Sequence, residues 1–344
     1  MNKYTLDYIP NFSSKDLNTA SIKPRLDTME IAEKAGFKNI IKNYNSKPKL
    51  GKVIAFFQFL FALIKLPKKS TLFIQYPFQL QGFDGVLKYF VKRKKLNGIL
   101  LIHDTIILRD PTYKKNIIKQ ESSFFNYFKH IIVHNDKMNK ELSKYIQSNI
   151  NIYELGIFDY LVSSSSSPIK NKKINSPIKI AITGNLSRLK FLDQLHKIQN
   201  VDFYLYGPGY DEDLKANNVH YCGSVHPDEL NKLLAEYDFG LVWDGNSIEN
   251  LVGNNNAEYM KFNNPYKLSA TISAGIPVIS STEAGINKII ELENIGITVD
   301  SLMQLEDMKI DETSYLQKLS NCQHIRSKIN RGDYLSTILL NIVN

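Results

Sequence analysis

The sequence predicts an α/β protein made of two similar domains, each a parallel sheet with helices on both faces. Three observations carry this. Short apolar strands alternate with helical segments through the first half, a break rich in serine, proline and lysine follows at residues 163–177, and the same alternation restarts at residue 178. With 344 residues and 43% hydrophobic content, the chain is long enough to bury a core in each half.

In the first half, residues 4–9 read as a strand. A polar loop leads from there into a helix through 27–35, stopped by Gly36. Strands follow at 71–76, 98–103, 130–134 and 151–155, with helices near 52–66, 82–94, 114–128 and 136–147. The second half places strands at 178–183, 202–206, 220–221, 239–242, 277–279 and 297–299, then a helical segment to the end. The expected division is a Rossmann-like domain over 1–162, a linker over 163–177, a second Rossmann-like domain over 178–313 and a helical segment over 314–344. Ligands of such folds bind beyond the carboxyl ends of the strands.

Composition narrows the function classes. Two cysteines, Cys222 and Cys322, form no CxxC pair, which argues against a disulfide framework or a cysteine zinc site and sets a reducing, cytoplasmic location as the expectation. The net charge of +9 fits phosphate-bearing substrates or an anionic membrane surface, while no nucleic-acid-binding module is present in the pattern. The most apolar run, residues 53–67, is too short to span a bilayer. It is expected to be a buried core helix, with lysines on both sides that suit peripheral contact at the inner face of a membrane.

Phe262-Asn263-Asn264-Pro265-Tyr266-Lys267-Leu268-Ser269 is the stretch with the clearest chemistry. Asn264 as N-cap and Pro265 at the first helical position would open a helix that ends at Gly275, and a helix start beside a lysine receives an anion. Gly184-Asn185-Leu186-Ser187-Arg188 follows a strand, where glycine admits a ligand close to the backbone and arginine grips phosphate with two donors. Tyr221 ends another strand and could face a nucleobase, or be a core tyrosine beside a turn. Asp211-Glu212-Asp213 has the letters of a metal site but follows a Pro-Gly turn, so an acidic surface turn is expected and no metal. In the first half, His103 and Asp104 end a strand. Asp104 is the preferred candidate base for an acceptor hydroxyl, the plain alternative being that it braces its loop.

Taken together, the stretches at 184–188, 239–245, 262–269 and 274–279, with Ile102-His103-Asp104 and residues 132–135 in the first half, resemble bacterial GT-B glycosyltransferases. The likeness is to glucosyltransferases that extend O-linked N-acetylglucosamine on serine-rich-repeat adhesins, and to related galactofuranosyltransferases. The resemblance implies two Rossmann-like domains facing a central cleft, a sugar nucleotide held by the second and a glycan or glycoprotein acceptor held by the first. It further implies Arg188 and Lys267 on the diphosphate, Asn263 to Leu268 as amide donors, and Tyr221 near the uracil of a UDP-sugar, with UDP-glucose or UDP-galactose or its furanose form as donor. Asn18, Ser21, Lys23 and Arg25 would form a loop on the acceptor side. Tyr266 stands where the motif usually has histidine, and Ala270 where glycogen-synthase-type enzymes have glutamate. The expected reaction is therefore an inverting transfer that needs neither metal nor cofactor, carried out by a homo-oligomer. A non-catalytic glycan-binding subunit and a sugar-nucleotide epimerase are the alternatives on the same scaffold.

Overall fold

The computed structural model describes residues 2–6, 22–41, 50–78, 82–110, 115–162, 172–213, 216–253 and 255–344. By their internal contacts these form two compact units. The first holds Pro24–Leu155, the first strand and the final Tyr334–Asn344; the second holds Gly156–Asp333 and Lys23. Part of the expected linker, and the expected loop residues Asn18 and Ser21, lie outside the described residues.

The first unit runs β1 (Lys3–Thr5), α1 (Lys23–Lys34), β2 (Lys38–Asn39), α2 (Leu50–Lys65), β3 (Thr71–Tyr76) and α3 (Asp84–Lys94). It continues with β4 (Asn97–Ile102), α4 (Ile106–Arg109), α5 (Lys115–Phe125), β5 (His130–Val133), α6 (Asp136–Leu142) and β6 (Asn151–Glu154). Its sheet is parallel throughout, in the order β2-β1-β3-β4-β5-β6. Residues 99–102 of β4 and 71–75 of β3 are all buried, as expected of strands covered on both faces.

The second unit contains β7 (Ile178–Thr183), β8 (Val201–Tyr206), β9 (Val219–Tyr221), α7 (Pro227–Leu234), β10 (Phe239–Val242) and α8 (Asn255–Met260). It then runs through α9 (Tyr266–Ala274), β11 (Val278–Ser281), α10 (Asn287–Leu292), β12 (Gly296–Val299) and α11 (Glu312–Ile329). Its sheet is again parallel, in the order β12-β11-β10-β7-β8-β9. From β7 the chain first builds outward to β9, then crosses back to β10, so the strand order reverses between β7 and β10. The crevice at such a reversal is where open parallel sheets take their ligands.

Several elements differ from the sequence reading, each for a physical reason. The short strand β2 was not expected; its two residues are polar and give no apolar pattern. The helix expected near 114–128 is α5, and the short α4 before it was not expected, its four residues being too few to show a helical period. After Gly184 the expected helix is instead two 3₁₀ turns, Leu186–Arg188 and Lys190–Lys197. Leu186, Leu189, Leu192, Leu195 and Ile198 are all buried, and their strict spacing of three puts them on one face at three residues per turn. The last helical segment divides at Gly332, whose φ of 84° ends α11 and its overhang before α12 (Asp333–Val343), a helix that belongs to the first unit from Tyr334 onward.

The expectation of a buried helix at 53–67 is corrected. Ala55, Phe59 and Leu63, spaced four apart, are buried, while Val53, Phe57, Phe61 and Ile64 are each at least half exposed at 54%, 50%, 57% and 51%. Phe59 packs edge-on against Phe78 and Phe83, both at 4.7 Å. A helix that is apolar all round can lay only one stripe on a sheet, and here nothing among the described residues covers the rest.

Candidate functional site

The reversal of strand order in the second unit brings together three of its functional side groups. Gly184 follows β7, and its φ of 123° is a conformation other residues rarely adopt. A Cβ placed there would lie 3.3 Å from Cε of Lys267, so glycine leaves the room that this lysine fills. Lys267, in the first turn of α9, donates from Nζ to Oδ1 of Asp244 at 2.6 Å. Asp244 follows β10, the other strand of the reversal. The two side chains are 18% and 19% exposed, enough shielding for the pair to be rigid while one edge stays open.

Helix α9 is held to the sheet through glycine as well. A Cβ on Gly240 of β10 would stand 2.4 Å from Oγ1 of Thr271, and Leu268 to Ala274 are all buried. The helix begins one residue later than its sequence suggests: Pro265 is the N-cap and Tyr266 the first helical residue. Asn264 does not cap it. Its side-chain Nδ2 donates to the carbonyl oxygen of Gly156, which draws the side chain toward that residue. Gly275, with φ 85°, ends the helix as expected and donates to Ile272 O and Thr271 O.

The amide donors expected across 263–268 are therefore partly spent. Asn263 N–H donates to Tyr259 O at 3.0 Å and Leu268 N–H to Pro265 O at 2.9 Å. Pro265 has no N–H. Lys267 adds its ammonium at the positive end of α9, which suits this turn to an anion. The Tyr266 ring packs among aromatic neighbours. It stacks on Tyr160 at 5.1 Å and meets Phe158 edge-on, and Tyr160 in turn lies under the Lys23 ammonium at 4.4 Å. Lys23 also donates to Leu161 O at 2.6 Å, which ties it to the base of α9 in the second unit.

Asn185 accepts from Ser187 N–H and Oγ and caps the first 3₁₀ turn. Arg188 closes that turn with an exposed guanidinium that makes no ion pair among the described residues. Tyr221, on the edge strand β9, is 37% exposed, donates from its hydroxyl to Gly207 O at 3.2 Å and packs beside Tyr210 at 5.2 Å.

In the first unit the strand ends carry a second polar cluster. Asp104 accepts Arg109 through both oxygens, Nε to Oδ1 at 3.0 Å and Nη2 to Oδ2 at 2.8 Å, and Oδ1 also accepts Thr105 N–H at 2.8 Å. In this arrangement it braces its loop, and service as a base would require Arg109 to swing away. His103 bonds through Nε2 to Gln75 Oε1 at 2.7 Å, Gln75 Nε2 donates to Arg25 O at 3.1 Å, and Arg25 donates to Pro77 O at 2.5 Å. Sequence reasoning missed Gln75 and also Glu121. Buried on α5, Glu121 accepts Tyr76 Oη, Thr105 Oγ1 and the N–H groups of Ile106 and Ile107, all within 3.0 Å. Burial raises the Glu121 carboxyl above its usual range, opposed by those four hydrogen bonds.

The two histidines of this cluster make the unit sensitive to acid. Burial pushes His134 down to about 4, although its Nε2 donates to Ile102 O at 2.9 Å. Burial, then the charges of Arg25 and His134, hold His103 well below the imidazole range. A group with a depressed folded pKa binds fewer protons folded than unfolded, so stability falls as pH drops from 6.5 toward 4. His134 alone is expected to cost about 2 kcal/mol between pH 7 and pH 5. Urea unfolding at the two pH values measures this. A His134→Gln protein should lose much of the slope, and an unchanged slope would remove His134 as its source.

Comparison with known proteins agrees with this architecture. Residues 7–157 match the family description "Glucosyltransferase 3-like, N-terminal domain" and residues 180–342 match "Glucosyltransferase 3-like, C-terminal domain". The chain is 30% identical to the β-1,6-galactofuranosyltransferase WbbI of Escherichia coli, over 97% of this chain and 96% of that protein. It is 23% identical to glucosyltransferase 3 of Streptococcus parasanguinis, over 75% of this chain and 73% of the relative. Among solved structures, sucrose-phosphate synthase of Thermosynechococcus elongatus superposes with a TM-score of 0.55 at 11% identity, covering 100% of this chain and 94% of that one. The fold is GT-B, as the sequence resemblance implied.

Proposed function

Because the chain belongs to the glucosyltransferase 3-like family of bacterial glycosyltransferases, we propose that it transfers a hexose from a UDP-sugar bound by its second unit to a glycan acceptor recognised by its first. The observation that carries the donor assignment is the meeting of Gly184, Lys267 and Asp244 at the reversal of strand order. A diphosphate seated over the Gly184 turn would lie against the Lys267 ammonium and the start of α9, with Arg188 closing from the 3₁₀ turn. Tyr221 lies two strands from β7, about 10 Å. That is comparable to the span of a ribose between diphosphate and base, so the uracil would rest on this exposed ring.

The chemistry asked of the protein is stabilisation of a leaving diphosphate. As the bond from the anomeric carbon to the diphosphate oxygen breaks, negative charge grows on UDP, and donors fixed before the reaction lower that barrier. Asp244 fixes the Lys267 ammonium in place and could also accept a hydroxyl of the donor sugar. Inversion is the proposed stereochemistry: the name of the Escherichia coli relative records a β linkage, and a β linkage made from an α-linked sugar nucleotide is inverted. Asp104 remains the proposed base, released from Arg109 when an acceptor binds. The scheme uses no metal and no cofactor.

Calorimetry with UDP and a panel of UDP-sugars, with product masses, tests this reading. The protein should bind UDP, and Arg188→Ala should weaken that binding roughly tenfold, the worth of one exposed charge-assisted contact. A folded protein with no affinity for UDP would point to a glycan-binding subunit instead. Conversion of a UDP-sugar without any acceptor would point to an epimerase.

A further inference from the structure

Six of the fifteen large hydrophobic side chains exposed among the described residues lie on the single helix α2. Val53, Phe57, Phe61 and Ile64 form its outer face. The sequence around it is equally one-sided in charge. Between Glu33 and Asp84 there is no acidic residue, and residues 34–83 contain nine lysines. Lys65 ends the helix, and Lys68 and Lys69 follow it, all exposed. The neighbouring α3 adds exposed Lys92, Arg93 and Lys95, and its Lys94 donates to Ile64 O and Leu66 O, which docks the basic end of α3 on the end of α2.

We propose that α2 is a membrane-surface helix that seats the first unit on an anionic bilayer, with its phenylalanines in the headgroup boundary and the lysines of the α2 and α3 ends on lipid phosphates. A helix with exposed aromatic and aliphatic side chains between cationic ends lies in the plane of the interface. It does not span: no helix among the described residues is long and apolar enough to cross a membrane. A second copy of the chain is the weaker occupant. Two-fold pairing of α2 with itself would bring the two lysine sets together, like charge against like, whereas anionic lipid complements them.

Cosedimentation with mixed phosphatidylglycerol–phosphatidylcholine vesicles, against pure phosphatidylcholine, tests the proposal on the full chain. The protein should bind the anionic vesicles, and binding should fall as salt rises. Phe57→Ser/Phe61→Ser and Lys68→Glu/Lys69→Glu should each lower the partition at least tenfold. Both pairs are exposed, and an unchanged circular dichroism spectrum and urea midpoint would confirm that they stay folded. Equal partition of the variants and the parent overturns the proposal. So does a concentration-dependent dimer, seen by sedimentation velocity, that the phenylalanine variant dissolves. Vesicle binding reads no turnover, so its outcome is independent of whether the donor is a UDP-sugar.

Discussion

Lys267→Ala should reduce transfer from a UDP-sugar by about a hundred- to a thousandfold, the usual cost of removing one preorganised charge stabiliser from a leaving group. The same change should weaken UDP binding, because the substrate diphosphate loses the cation that Gly184 makes room for. Stability should fall too. Asp244, 19% exposed, would be left beside α9 without its 2.6 Å partner, and stranding such a group costs about 1–3 kcal/mol. These two effects can be separated. Asp244→Asn removes a negative charge from beside the diphosphate, so UDP binding should hold or tighten while transfer drops as the Lys267 ammonium loses its anchor. The double variant Lys267→Met/Asp244→Leu should regain stability relative to Lys267→Ala without regaining activity. Calorimetry, initial rates and urea midpoints on the four proteins provide the readouts. If Asp244→Asn weakens UDP as much as Lys267→Ala does, the pair is only a structural brace and the diphosphate binds elsewhere.

What the sequence revealed of this site follows from how local each signal is. Gly184, Lys267 and Gly275 announce themselves through turn and helix-end chemistry within a few residues, and the structure places the first two in contact. Asp244 is 23 residues from Lys267 in the chain, and only the crossing from β10 to α9 brings them together. Glu121 is 15 and 14 residues from the two α4 amides that it accepts, beyond the reach of a local motif. The start of α9 is one position later than Asn264 and Pro265 suggest, and the Asn264 side chain is bonded to the Gly156 carbonyl, a partner remote in sequence that no local pattern announces. The two 3₁₀ turns had a readable signal in the spacing of three among Leu186, Leu189, Leu192 and Leu195. Helix α2 had none. A run that is apolar on every side reads alike whether a protein core or another apolar phase covers its outer face.

Gly207→Ala should be the most destabilising small substitution in the second unit, by more than about 3 kcal/mol, because it forces backbone to move. A Cβ at that position would stand 1.7 Å from Gly184 O, and the residue has φ 143°. Neither side can yield cheaply: Gly184 N–H donates to Tyr206 O at 3.0 Å and Gly207 N–H to Gly223 O at 2.9 Å, so the turns after β7 and β8 are stitched to each other and onward to the loop after β9. Moving the Gly184 carbonyl also moves the turn that Lys267 packs against, so UDP affinity should fall with stability although residue 207 is itself assigned no contact with UDP. Gly223→Ala is the control. It too has a positive φ, 79°, but a Cβ there meets nothing within 4 Å, so its cost is conformational only, about 1 kcal/mol. Urea midpoints of the two variants should therefore separate clearly, with UDP binding retained in Gly223→Ala. Equal midpoints would mean that the two turns slide apart freely, and the close approach of Gly184 and Gly207 would then have no part in shaping the site.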